Sequence, residues 1–212
     1  MSQMDTNNEM LLASSYFGPA SYFALLAKST ADTVWIEQME TYPKQSWRNR
    51  CTILTPQGKL DLIIPVKKPM GNHTPIHLVS IDNSSLWFLN HWRAITSAYN
   101  ASPYFLYYRD EIEPFFQGTY TNLLELNLNL TQMLLKTLKI NVPLRLTQEF
   151  LPPDSASDLR YRLSPKKTLY FSHFPEYNQV FGDTQPFHPD LSLLDVLFNL
   201  GPETKSYLLS LK

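Results

Sequence analysis

A chain of 212 residues, 43% hydrophobic and 17% charged, is long enough to bury a sizeable core and too apolar to stay disordered. Eighteen Lys and Arg against nineteen Asp and Glu leave a formal charge of -1, which argues against nucleic acid as a partner, because such affinity rests on neutralising many phosphates. The lone cysteine, Cys51, rules out an intramolecular disulfide and a structural zinc cluster, and no apolar run approaches the roughly 20 residues that cross a bilayer.

Met1 to Met10 is polar and lacks the profile of a secretion signal, so the cytoplasm is the expected compartment and residues 1–12 read as a flexible arm. Tyr16-Phe17-Gly18-Pro19 signals a turn, and Pro19 suits the first turn of a short helix through Ala27. Thr33 to Gln38, rich in β-branched and aromatic residues, reads as a strand. Arg50 to Thr55 and Lys59 to Val66 form a hairpin around Pro56-Gln57-Gly58, with Leu60, Leu62, Ile64 and Val66 on one face. Pro65 places the end of that strand, or an edge, at its position. A further strand is expected over Ile76 to Ile81.

Helices dominate the middle. Asp82 to Ser85 offers caps for a helix to Tyr99, and Ser102-Pro103 opens another reaching Phe116. Thr121 to Lys139 is leucine-rich, acidic early and basic late, as a helix dipole favours. Asp190 is the expected cap of a helix to Asn199, which Gly201 stops before Pro202-Glu203 starts the last one. Residues 141–189 hold many prolines and little periodicity, with Leu144 to Phe150 and Thr168 to Ser172 as candidate strands. The pattern predicts an α+β protein, a small mostly antiparallel or mixed sheet in the N-terminal half against several helices, with a mainly helical C-terminal half. One domain over 1–212 is expected, with α/β architecture as the alternative.

Four groups of residues carry chemistry. Cys51 is a candidate thiol nucleophile close in sequence to Arg48 and Arg50, yet on a strand it points with Ile53 and away from Arg50, as a small buried hydrophobe would. His91 shares a helix face with Phe88 and Ile95; it is either a packed core residue or a general base tuned by burial. The loop from Lys67 and Lys68 through Gly71 to His73 and Thr74 could hold an anionic group, although it lacks P-loop spacing; a solvated hairpin loop is the competing reading. Around Trp47, an aromatic platform sits beside Asn49 and Arg50, which suits a sugar or base face and its hydroxyls or phosphates; a strand entry with a half-buried Trp is the alternative. Metal-ligand spacing is lacking, since His73 and His77 are the one close histidine pair.

Four segments together resemble the WbqC-like family of bacterial proteins: YFGPASYFALLAKSTADTVWIEQ; QSWRNRCTIL followed by PVKK; TPIHLVSID followed by WFLNHWRAITSAYNASPYF; and LSLLDVLFNLGP. Tyr16, Pro19, Tyr22, Trp47, Asn49, Arg50, Thr74, His91, Tyr99 and Pro103 match best, whereas Gln38-Met39 stands where acidic residues are common in relatives. The resemblance implies a setting among O-antigen and surface-polysaccharide genes and transfers no catalytic residue. It suggests an enzyme of surface-glycan precursor synthesis that moves an acyl or aminoacyl group to an amino sugar or sugar nucleotide. In that expectation Tyr16, Trp47, Asn49, Arg50, His73 and Thr74 bind substrate, Lys67 and Lys68 hold phosphate, and His91 or Cys51 does the chemistry. No cofactor is expected beyond a nucleotide-sugar or acyl-CoA substrate. The alternatives are a non-catalytic accessory protein of a glycan-assembly complex, for which 28 aromatic residues supply anchors, and a Cys51 hydrolase or amidotransferase.

Overall fold

The computed structural model describes residues 9–152 and 158–212. The expected flexible arm lies outside them except for its last four residues, and these form a strand, β1 (Glu9–Leu12). Three of its four residues are apolar, and Leu11 and Leu12 are buried. The chain then turns through Phe17, forms α1 (Ala20–Lys28) and returns as β2 (Thr33–Ile36). β2 pairs parallel with β1 on one side and with β7 (Leu144–Leu146) on the other, so the three-stranded sheet runs β1-β2-β7 with β2 central.

That parallel sheet makes the strand set mixed, one of the two arrangements the sequence predicts, but its own pairing carries little sequence signal. Its strands are three or four residues long, too short for a period-2 pattern to show, and β7 joins from more than a hundred residues away. The antiparallel pairing expected of the hairpin is present as β3 (Arg50–Thr55) with β4 (Gly58–Ile63), in a register that sets Thr52 opposite Asp61. Gly58 turns the hairpin at φ 106°, a conformation that favours glycine. A second antiparallel pair, β5 (Val66–Lys67) with β6 (Ser80–Ile81), is minimal, and Ile76–Leu78 is a 3₁₀ turn rather than part of a strand. The ensemble is a mixed set of short strands with several helices, an α+β protein.

The helices follow the expected order with shorter bounds. Asn83–Ser85 is a 3₁₀ turn capped by Asp82; Leu86 then takes φ 51°, and α2 (Trp87–Tyr99) starts after that break. α3 (Phe105–Ile112) ends in a 3₁₀ turn to Phe116. α4 (Leu123–Thr137) is capped by Asn122, whose side chain accepts the Glu125 N–H. α5 (Leu193–Leu200) is capped by Ser192 and not by Asp190, and Gly201 at φ 53° ends it before α6 (Thr204–Ser210). Among the described residues, no helix is long and apolar enough to cross a membrane.

Of the two strand candidates in the proline-rich stretch, Leu144 to Phe150 contains β7, while Thr168 to Ser172 is not a strand. Side chains tie this stretch down where periodicity is missing. Asp195 on α5 is fully buried and accepts hydrogen bonds from Tyr99 Oη at 2.9 Å, from Tyr177 Oη and from Gln179 Nε2 at 2.9 Å. Gln179 also takes both backbone groups of His188. Burial raises the Asp195 carboxyl above its ordinary value, and its three donors work against that rise. One apolar cluster runs from Leu12 to Leu211 and joins sheet, hairpin and helices.

Candidate functional site

The loop after β2 supplies two carboxylates at the carboxyl end of the parallel sheet. Glu37 and Glu40 are both fully buried, and a charge in that position must be paired. Glu40 takes a bidentate grip from Arg48, Nε to Oε1 at 2.6 Å and Nη2 to Oε2 at 2.7 Å. Glu37 accepts from the Met39 and Leu151 amides, the Thr147 hydroxyl and Arg160 Nη1 at 3.0 Å. Arg160 also grips Asp158 through Nε and Nη2. Burial alone would raise the Asp158 carboxyl, but the hydrogen bonds of Arg160 hold it below its ordinary value. The Tyr161 ring lies over both guanidinium groups, 5.9 Å from Arg48 and 5.6 Å from Arg160. Each carboxylate is spent on an arginine, so this cluster fixes backbone rather than moving protons.

The two arginines lead into the walls of a cleft of about 470 Å³. Arg48 adjoins Trp47, which is half-buried and lines it, and Arg160 precedes Arg162, Ser164 and Lys167 on its far chain segment. Trp47 is anchored by its carbonyl, which accepts the Tyr16 N–H at 2.9 Å and the Ser15 hydroxyl at 3.3 Å. The outer face of the hairpin contributes Arg50, Thr52, Lys59 and Asp61. Asp61 accepts from Arg50 Nη1 at 2.9 Å and from the Thr52 hydroxyl at 2.6 Å. Arg50 Nε is buried with no hydrogen-bond partner among the described residues, a donor left unused.

Asp190 closes the cleft on the α1 side. It sits in the left-handed region at φ 56° and accepts from the Ser21 N–H at 2.7 Å and the Ser21 hydroxyl at 2.9 Å. Burial pushes its carboxyl up to about 6, against the two Ser21 hydrogen bonds and nearby Lys59. Sequence reading missed Asp190, Lys59, Arg162 and Lys167 as cleft residues. Asp190 was assigned to the following helix, and the others sit in runs with no motif, brought together by tertiary structure.

Of the residues singled out in the sequence, Trp47 and Arg50 meet in the cleft. Asn49 is buried and donates to the Ile64 carbonyl at 2.8 Å. Tyr16, Cys51 and His91 lie in the core behind the hairpin: Tyr16 Oη is 2.9 Å from His91 Nδ1, and the His91 ring packs against Trp87. Burial lowers His91 to about 4, so it is neutral at physiological pH. Burial, helped by the Asp61 charge, pushes the Cys51 thiol well up, which leaves it protonated. Lys67 pairs with Asp82 at 3.1 Å, Lys68 with Asn72 at 3.4 Å, and the Thr74 hydroxyl is taken up by the Met70 amide and the Gly71 carbonyl. That loop, His73 included, contributes nothing to the cleft wall.

The chain is 28% identical to the uncharacterized protein Rv1507c of Mycobacterium tuberculosis, over 93% of this chain and 96% of that one. No solved structure matches. The model of the WbqC-like protein family matches residues 14–167, which hold Trp47, the whole hairpin and the Arg160–Lys167 wall. The chain belongs to the WbqC-like protein family.

Proposed function

We propose that the protein is a transferase of bacterial surface-polysaccharide synthesis that takes an anionic donor or acceptor and moves an acyl or aminoacyl group to an amino sugar or sugar nucleotide. The observation that carries this reading is the cleft itself: cations gathered around an anchored Trp47, with one proton-accepting carboxylate on the wall. In this reading Trp47 packs against the sugar or base face, and Arg50 donates through its free Nε. Lys59, Arg162 and Lys167 take the phosphate-holding part that the sequence suggested for Lys67 and Lys68. The acceptor nitrogen attacks the acyl carbonyl, its proton passes to Asp190, and the donor's leaving group departs as the new amide forms. Asp190 fits that part better than His91, which faces Tyr16 in the core.

Thermal stabilisation by sugar nucleotides and acyl donors tests the reading. Ligand at about 100 times its Kd adds about 2.7 kcal/mol, a clearly raised midpoint. The shift is expected to disappear in Trp47→Ala and Arg50→Ala. Absence of any shift, together with a stoichiometric protein partner, replaces this reading with that of an accessory protein.

A further inference from the structure

We propose that the cleft holds a pyrophosphate diester, a nucleoside diphosphate joined to a second organic group, by protein cations alone, with a flanking ring laid on Trp47. The inference rests on the anionic-ligand reading above and narrows it to one ligand class.

Charge balance is the first argument. Asp61 already neutralises Arg50 at 2.9 Å, whereas Lys59, Arg162 and Lys167 make no ion pair among the described residues. Against those three cations stands Asp190, so the cleft carries two uncompensated positive charges when Asp190 is ionised. A pyrophosphate diester carries two negative charges at neutral pH, and a complementary field favours that ligand over neutral or more highly charged ones.

Placement is the second. The free cations come from two separate segments of the lining, Lys59 from β4 and Arg162 and Lys167 from the wall after Arg160. A single phosphate is typically cradled at a helix N-terminus by free backbone amides. Here the N-terminal turn of α1 beside the cleft is occupied, because the Ser21 N–H is already given to Asp190. Two linked phosphates reaching between the segments fit the distribution better than one. A volume of about 470 Å³ admits the attached groups as well.

Calorimetric titration of the full-length protein in EDTA tests this with three probes: uridine diphosphate glucose, glucose 1-phosphate and coenzyme A. The diphosphate ester is expected to bind at least about tenfold tighter than glucose 1-phosphate, one further charge-assisted contact being worth about that factor. Lys59→Gln and Lys167→Gln are each expected to weaken it about tenfold while Lys68→Gln does not. Both cleft lysines are exposed, so unliganded melting points of the variants should match the parent. Loss of binding in EDTA, or an affinity for glucose 1-phosphate equal to that for both pyrophosphate diesters, uridine diphosphate glucose and coenzyme A, each overturns the inference and leaves an anion site standing. Binding of none of the three overturns the underlying reading too.

Discussion

Two charged clusters share the chain around Trp47 and obey opposite rules. Behind it, Glu37, Glu40, Arg48 and Arg160 are buried, and each charge has a partner of opposite sign. In front of it, Lys59, Arg162 and Lys167 stand in solvent without ion pairs among the described residues, and Arg50 keeps a donor in reserve. Burying a charge costs several kcal/mol unless it is paired, so the inner cluster had to be complete. The outer one has no such requirement, and its surplus of positive charge is available to a ligand. The number of charged residues distinguishes neither cluster; the pairing does.

The contrast sets a scale of expected effects. Arg160→Met leaves Glu37 buried without its cation, and a loss of about 3–5 kcal/mol is expected in chemical denaturation. A loss under about 1 kcal/mol would show that the inner cluster is not under the constraint described. His91 comes next. Its value of about 4 in the fold, against 6.5 ordinarily, means that the unfolded chain binds more protons between those limits, so stability falls as pH drops from 6.5 to 4. The full effect is about 3 kcal/mol, and His91→Phe should flatten that part of the pH–stability curve. Tyr177→Phe removes one donor from Asp195 and should cost about 1 kcal/mol by the same denaturation assay. The smallest effect belongs to the outer cluster. Below about 6 Asp190 takes up a proton and ceases to oppose the cations, so a dianion whose own charge is constant should bind about two- to fivefold tighter at pH 5 than at pH 7. Asp190→Asn should abolish that dependence in a calorimetric pH series, and an unchanged slope would remove Asp190 from the cleft's charge balance.

Local chemistry was readable from the sequence and long-range assembly was not. The hairpin declared itself through Pro56-Gln57-Gly58 and the alternation on either side, and the strand geometry correctly turned Cys51 inward and Arg50 outward. Trp47 and Arg50 were legible because an aromatic platform beside a guanidinium is recognisable within four residues. The parallel sheet was hidden because each strand is too short to pattern and pairing partners lie far apart. Glu37 and Glu40 flank the Gln38-Met39 pair that had drawn notice, but their arginine partners are visible only in three dimensions, and Arg160 lies 123 residues from Glu37. Asp190 was misassigned because an Asp two residues before a capping Ser is itself a good cap; the distant Ser21 claims it instead.

The same long-range anchoring has a consequence for how the protein is made. Trp47, Arg50, Lys59 and Asp61 leave the ribosome early, but Arg162, Lys167 and Asp190 follow more than a hundred residues later. Backbone bonds from Ser192 to Thr52, from Leu193 to Gly18 and from Ala20 to Leu191 then stitch the end of the chain to its beginning. A nascent chain can therefore form the hairpin but not the cleft, whose far wall waits for residues 162–191 to emerge. Products truncated before residue 162, however well folded in their first half, would lack the cleft.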